Sequence, residues 1–161
     1  MTIQTEFPLT VLVVDDIATQ RQLLSDVILF LYPDWNIVEA ENGKQGLKLA
    51  QTLHPDLIIT DFRMPFMNGY EMALELQDNP STCEIPLVLV SSSDLENAQV
   101  RQLSLLCQAT LAKPFTLSSL AYVLKNLVRA RLIPVEMPRQ HWPMAISGDY
   151  AQLQYHLDYC N

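Results

Sequence analysis

Five short apolar runs punctuate the chain: "TVLVVD" (10–15), "NIVEA" (36–40), "DLIITD" (56–61), "PLVLVS" (86–91) and "ATLA" (109–112). They are near-continuous rather than alternating, the pattern of strands covered on both faces. The longer amphipathic stretches between and after them predict helices over about 17–31, 43–53, 68–78, 94–107 and 116–131. His54-Pro55 closes the second helix, because the residue before a proline avoids the helical region. Thr116 with Ser119 opens the fifth, which Leu117, Leu120, Leu124, Leu127 and Val128 furnish with an apolar stripe. Strand and helix repeating five times predict an α/β fold: a doubly wound five-stranded parallel sheet with five flanking helices. The chain divides into an N-terminal extension (1–8), a domain (9–131) and a C-terminal tail (132–161). Pro134, Pro138 and Pro143 make the start of that tail an extended linker. A short helical segment then begins near Ser147 or Asp149, with Tyr150, Leu153 and Leu157 on one side. Such a stripe predicts docking, on the chain's own domain or a second copy, near the fourth and fifth helices, with a loosely ordered end as the alternative.

With 161 residues, 49% of them hydrophobic, the chain can build one core and fold alone. A net charge of −8 argues against nucleic acid as a partner, since phosphate binding needs a clustered basic surface. No apolar run approaches the roughly 20 residues that span a bilayer, so no membrane partner is expected. The opening "MTIQTEFPLT" has neither a basic region nor an apolar signal core. Cys83, Cys107 and Cys160 are widely spaced and form no CxxC pattern, which fits a reducing cytoplasm.

The chemistry is expected beyond the carboxyl ends of the strands, where doubly wound sheets bind ligands. Strand one ends at Asp15-Asp16, strand three at Asp61, strand four at Ser91, and strand five runs into Lys113. Adjacent like charges repel and lose hydration unless a cation lies between them. Three carboxylates at one edge form a hard-oxygen site suited to Mg²⁺, which needs few protein ligands. A hydroxyl and an ammonium opposite them would neutralise the oxygens of a transferred phosphoryl group. Other roles stay open for these residues taken singly. The acid pair can cap a helix and Asp61 can form a turn. Ser91 can cap the next helix, with Ser92 its rival by register, and Lys113 can be a surface lysine.

Taken in order, "VLVVDD", "DLIITDFRMPFMNGYE", "IPLVLVSSS" and "LAKPF" resemble the receiver domain of two-component response regulators, over about residues 9–131. The resemblance implies a flavodoxin-like strand order 2-1-3-4-5. It implies that Asp61 is the phosphoacceptor, whose carboxylate attacks the phosphorus of a phosphohistidine. Asp15 and Asp16 would hold Mg²⁺ together with Asp61 and the main-chain carbonyl of Arg63. Ser91 and Lys113 would each contact a phosphoryl oxygen, and Lys113-Pro114 matches the family's cis peptide. The implied partners are a sensor histidine kinase or phosphotransfer protein and a downstream protein target, with a homodimer left open. The implied role is a stand-alone switch, not an enzyme beyond Mg²⁺-assisted self-phosphorylation and slow self-dephosphorylation. Two positions depart from the family: Thr110 stands where an aromatic switch residue is usual, and "LSLLCQAT" lacks a glycine at the end of helix four. A receiver-like scaffold that binds partners without phosphorylation is the main competitor. A DNA-binding output is disfavoured by the short tail with its one arginine, Arg139. A haloacid-dehalogenase type of enzyme would need a D-x-D pattern on strand one, which "DDIAT" does not supply.

Overall fold

A computed structural model describes residues 8–92 and 98–132. Its strands are β1 (Thr10–Val14), β2 (Asn36–Ala40), β3 (Leu57–Thr60), β4 (Leu87–Ser91) and β5 (Ala109–Ala112). They alternate with α1 (Ala18–Leu31), α2 (Gly43–Leu53), α3 (Gly69–Asp78), α4 (Ala98–Leu106) and α5 (Leu117–Leu132). All pairings are parallel and the order is β2-β1-β3-β4-β5, as expected from the sequence. Residues 93–97, where the fourth helix was expected to begin, the N-terminal extension through residue 7 and the tail from 133 onward lie outside the described residues. The helical segment expected near Ser147 lies there too.

Alternate residues of each central strand feed opposite faces, because side chains alternate along a strand. Val11 and Val13 of β1, Ile59 of β3 and Val88 and Val90 of β4 pack with Leu24 and Ile28 of α1 and Leu120 and Leu124 of α5. Leu12, Val14, Ile58, Leu87 and Leu89 turn the other way, onto Ala50 of α2, Met72 and Leu76 of α3 and Val100 and Leu103 of α4. The near-continuous apolar runs are the direct record of this two-sided burial. Tyr32 and Trp35 stack with ring centroids 4.0 Å apart and 8° between planes, closing the turn from α1 into β2.

Local chemistry sets the helix ends. Asn68 accepts N–H bonds from Tyr70 and Glu71, and the Glu71 carboxylate accepts the Asn68 N–H at 2.9 Å, a complete capping box. Thr116 and Ser119 bond reciprocally at the start of α5, as their spacing predicts: each backbone N–H donates to the other's hydroxyl, at 3.0 and 3.1 Å. The second helix does stop at His54-Pro55. The histidine avoids the right-handed helical region by turning left-handed, at φ 48° and ψ 61°, and its N–H still reaches the Ala50 carbonyl at 3.0 Å.

Ile59 lies in the central strand β3 and is wholly buried against α1 and α5. Ile59→Ala is expected to lower the unfolding free energy by about 2–5 kcal/mol in a urea titration. A loss below about 1 kcal/mol would show that this face of the sheet can collapse onto the gap.

Candidate functional site

Main-chain pairing carries the strand ends to one edge. The register sets Val14 beside Thr60, and one residue further the Asp61 N–H donates to the Val14 carbonyl at 2.9 Å. The Asp15 N–H donates to Ala40 at 3.1 Å, which extends the pairing of β1 with β2 past its last strand residue. On the far side, Ser91 pairs with Ala112, and the Ser91 carbonyl accepts the Lys113 N–H at 3.0 Å. Asp15 and Asp61 thus end neighbouring strands, while Lys113 follows the edge strand. The Lys113-Pro114 bond is cis.

The lysine head comes back across the sheet edge. Its Nζ donates to Asp15 Oδ2 at 2.7 Å and lies 3.3 Å from Asp61 Oδ1. It also donates to Oε1 of Gln20 in the first turn of α1. Asp15 is 1% exposed, and its second oxygen accepts the Ile17 N–H at 2.8 Å. Asp16 is exposed, Ser91 is partly buried, Ser92 is exposed, and Arg63 projects its side chain to solvent two residues after Asp61. Among the described residues no three carboxylates, thiols or imidazoles stand together as a ready ligand group. Positive charge between Asp15 and Asp61 comes from Lys113.

Burial pushes the Asp61 carboxyl above its ordinary range; the Lys113 ammonium opposes that rise and the Asp15 charge adds to it. Ionised Asp61 is therefore a burden on the fold.

Several supporting residues were not singled out in the sequence. Arg21 donates from Nη1 to the Asp15 carbonyl at 2.7 Å. Glu39 faces Arg21 Nε at 3.4 Å and accepts the Ser25 hydroxyl at 2.7 Å, so α1 and β2 together hold that arginine. Gly69 opens α3 with its N–H on the Phe62 carbonyl at 2.9 Å. A Cβ there would lie 2.3 Å from the carbonyl oxygen of Asp61, so only glycine lets α3 start against this loop. The "N-G-Y-E" of Asn68–Glu71 is a visible capping signature. Nothing in the sequence joins Gln20 to Lys113 or Arg21 to Asp15. A shallow hollow of about 440 Å³ is lined by Asn42, Lys44, Gln45, Lys48 and Phe66, and by none of the strand-end residues.

Comparison with known proteins follows the same residues. The family model for the response regulator receiver domain matches residues 11–125. Histidine kinase P4 of Formosa agariphila is 35% identical over 123 residues, 76% of this chain and 9% of that protein. The response regulator PleD of Caulobacter vibrioides is 31% identical over 127 residues, 79% of this chain and 28% of the other. The chain thus spans well under half the length of either. Among solved structures, the signal receiver domain of a signal transduction histidine kinase from Syntrophus aciditrophicus superposes with a TM-score of 0.70. It is 25% identical, and the match covers 83% of this chain and 99% of that one.

Two substitutions probe this edge. Because the Asp61 carboxyl is raised in the fold, the contribution of this one group to stability is fully present below its unfolded value, about 3.9, and is lost as pH rises through its folded value. In EDTA, Asp61→Asn is expected to melt a few degrees above wild type near neutral pH, the gap closing toward pH 4. A gap that is absent at pH 7.5, or of opposite sign, contradicts the burial argument. Gly69→Ala is expected to cost about 1–3 kcal/mol by urea unfolding, since its new methyl meets backbone that cannot turn aside. An unchanged midpoint would mean that α3 shifts freely.

Proposed function

Because the chain belongs to the receiver domain family of response regulators, we propose that Asp61 accepts a phosphoryl group from a sensor histidine kinase or phosphotransfer protein. The phosphorylated surface then binds a downstream protein target. The observation that carries this reading is the single ammonium of Lys113 within reach of both Asp15 and Asp61 at the open end of the sheet. A strand-end carboxylate beside an anchored cation suits a reaction whose difficulty is the charge on phosphoryl oxygens.

In the transfer, an Asp61 oxygen attacks phosphorus in line with the donor's histidine nitrogen. A P–O bond forms, the P–N bond breaks, and the electron pair of that bond leaves with the imidazole. Lys113 turns one N–H from the Asp61 carboxylate to a phosphoryl oxygen. Ser91, ending the strand beside β3, supplies a hydroxyl to another. Arg21 fixes the backbone at Asp15, and Gly69 keeps the start of α3 close under Asp61.

The donor chemistry fits Mg²⁺. Burial raises the Asp61 carboxyl and the Asp15 charge adds to that rise; a cation relieves both, and such an ion needs few protein carboxylates. Asp15, Asp16, Asp61 and the Arg63 main-chain carbonyl would hold it. Bound there, it offsets negative charge on the phosphoryl group.

The proposed setting is the cytoplasm. No helix among the described residues is long and apolar enough to cross a membrane, and the net charge of −8 disfavours nucleic acid. Beyond this self-modification the protein turns over no substrate. Exposed Thr110 on β5 favours a second reading, a scaffold that binds partners without phosphorylation.

Incubation with acetyl phosphate separates the two readings by intact mass. The expected result is one added phosphoryl group in the presence of Mg²⁺, lost in EDTA and in Asp61→Asn. An unchanged mass supports the scaffold, and an adduct that survives Asp61→Asn places the acceptor elsewhere.

A further inference from the structure

The ammonium of Lys113 has three N–H bonds and three acceptors around it: Asp15 Oδ2, Asp61 Oδ1 and Gln20 Oε1. Gln20 comes from the first turn of α1, is partly buried, and is the uncharged member of the three. Its own N–H is engaged with the Ile17 carbonyl at 2.9 Å, so its backbone is fixed where the helix begins.

A lysine head on a flexible four-carbon stem is poorly oriented by one contact, since it can swing about that bond. Two fixed acceptors remove most of this freedom and leave the third N–H one direction to point. With Asp15 and Gln20 as the fixed pair, that direction is toward Asp61. We infer that Gln20 is a positioning residue for phosphoryl transfer: it anchors Lys113 so that one N–H faces Asp61 and then the phosphoryl oxygen. This rests on Asp61 being the acceptor. The neutrality of the amide matters as well. A carboxylate at the same place would still anchor the ammonium, but a third negative charge would weaken its pull on phosphoryl oxygens.

Two measurements test the role. The first is the ¹⁵N signal of the Lys113 ammonium in the metal-free protein, assigned with Lys113→Arg. It is expected to be observable in wild type and in Gln20→Glu, and broadened by solvent exchange in Gln20→Leu, which keeps the bulk without the acceptor. The second is the rate of modification by acetyl phosphate with saturating Mg²⁺, expected to fall about 3–10-fold in Gln20→Leu and also in Gln20→Glu. Matching melting curves would exclude a general loss of structure. If wild type is modified and Gln20→Leu reacts at the same rate, the positioning role is overturned while Asp61 stands as acceptor. If wild type is not modified at all, the acceptor reading fails and the ammonium signal alone judges the anchor: a sharp signal in Gln20→Leu overturns it, a broadened one supports it.

Discussion

Burying Asp15 is the constraint from which the rest of this molecule follows. A carboxylate 1% exposed, at the end of the central run of the sheet, loses nearly all of its hydration. An uncompensated buried charge costs several kcal/mol, a large share of the stability that a domain has. Compensation comes from the Ile17 N–H and from an ammonium 98 residues further along the chain. That lysine must reach from the edge strand past the ends of β4 and β3, so the parallel order of the sheet and the site are one arrangement. Packing alone would accept many residues at position 15. The charge accepts few partners.

The same arrangement leaves the site short of positive charge. One ammonium serves two carboxylates, and a third, on Asp16, stands exposed beside them. Burial and the neighbouring charge together hold the Asp61 carboxyl above its ordinary range in spite of Lys113. The edge is therefore poised to gain from a cation, and a group that brings its own charge-balancing ion is bound at an advantage. The backbone supports this without adding charge. Gly69 allows α3 to begin against the Asp61 carbonyl, and Arg21, held by Glu39, grips the carbonyl of Asp15.

Much of this was legible in the residues. Runs such as "VLVV" and "LIIT" have no polar face, so they read as strands with helices on both sides, and the strand-end rule then gathers Asp15, Asp61, Ser91 and Lys113 without any coordinates. Helix ends were legible where capping chemistry is local, as at Thr116 and Ser119. The contacts of Gln20 and Arg21 were not. A glutamine three residues into an amphipathic helix looks like any solvated side chain, and its partner lies 93 positions away. Tight approach is equally silent: Gly69 follows a helix cap, and the oxygen that forbids a methyl there belongs to a residue eight positions earlier. Pattern reports which face is buried. It carries no record of which polar groups meet after burial.

The position of β1 has one more consequence, for how the chain comes to be made. The first strand of this sheet to be synthesised occupies its interior, with β2 on one side and β3 on the other. Its pairing with β3 joins Val11 to Leu57 and Val14 to Thr60, so one edge of a strongly apolar strand has no native partner until synthesis has passed residue 60. Parallel pairing of this kind is non-local and slow to form, and an apolar strand edge left open is a template for association with other chains. During its synthesis the strand that delivers Asp15 to the site thus keeps one edge open to association.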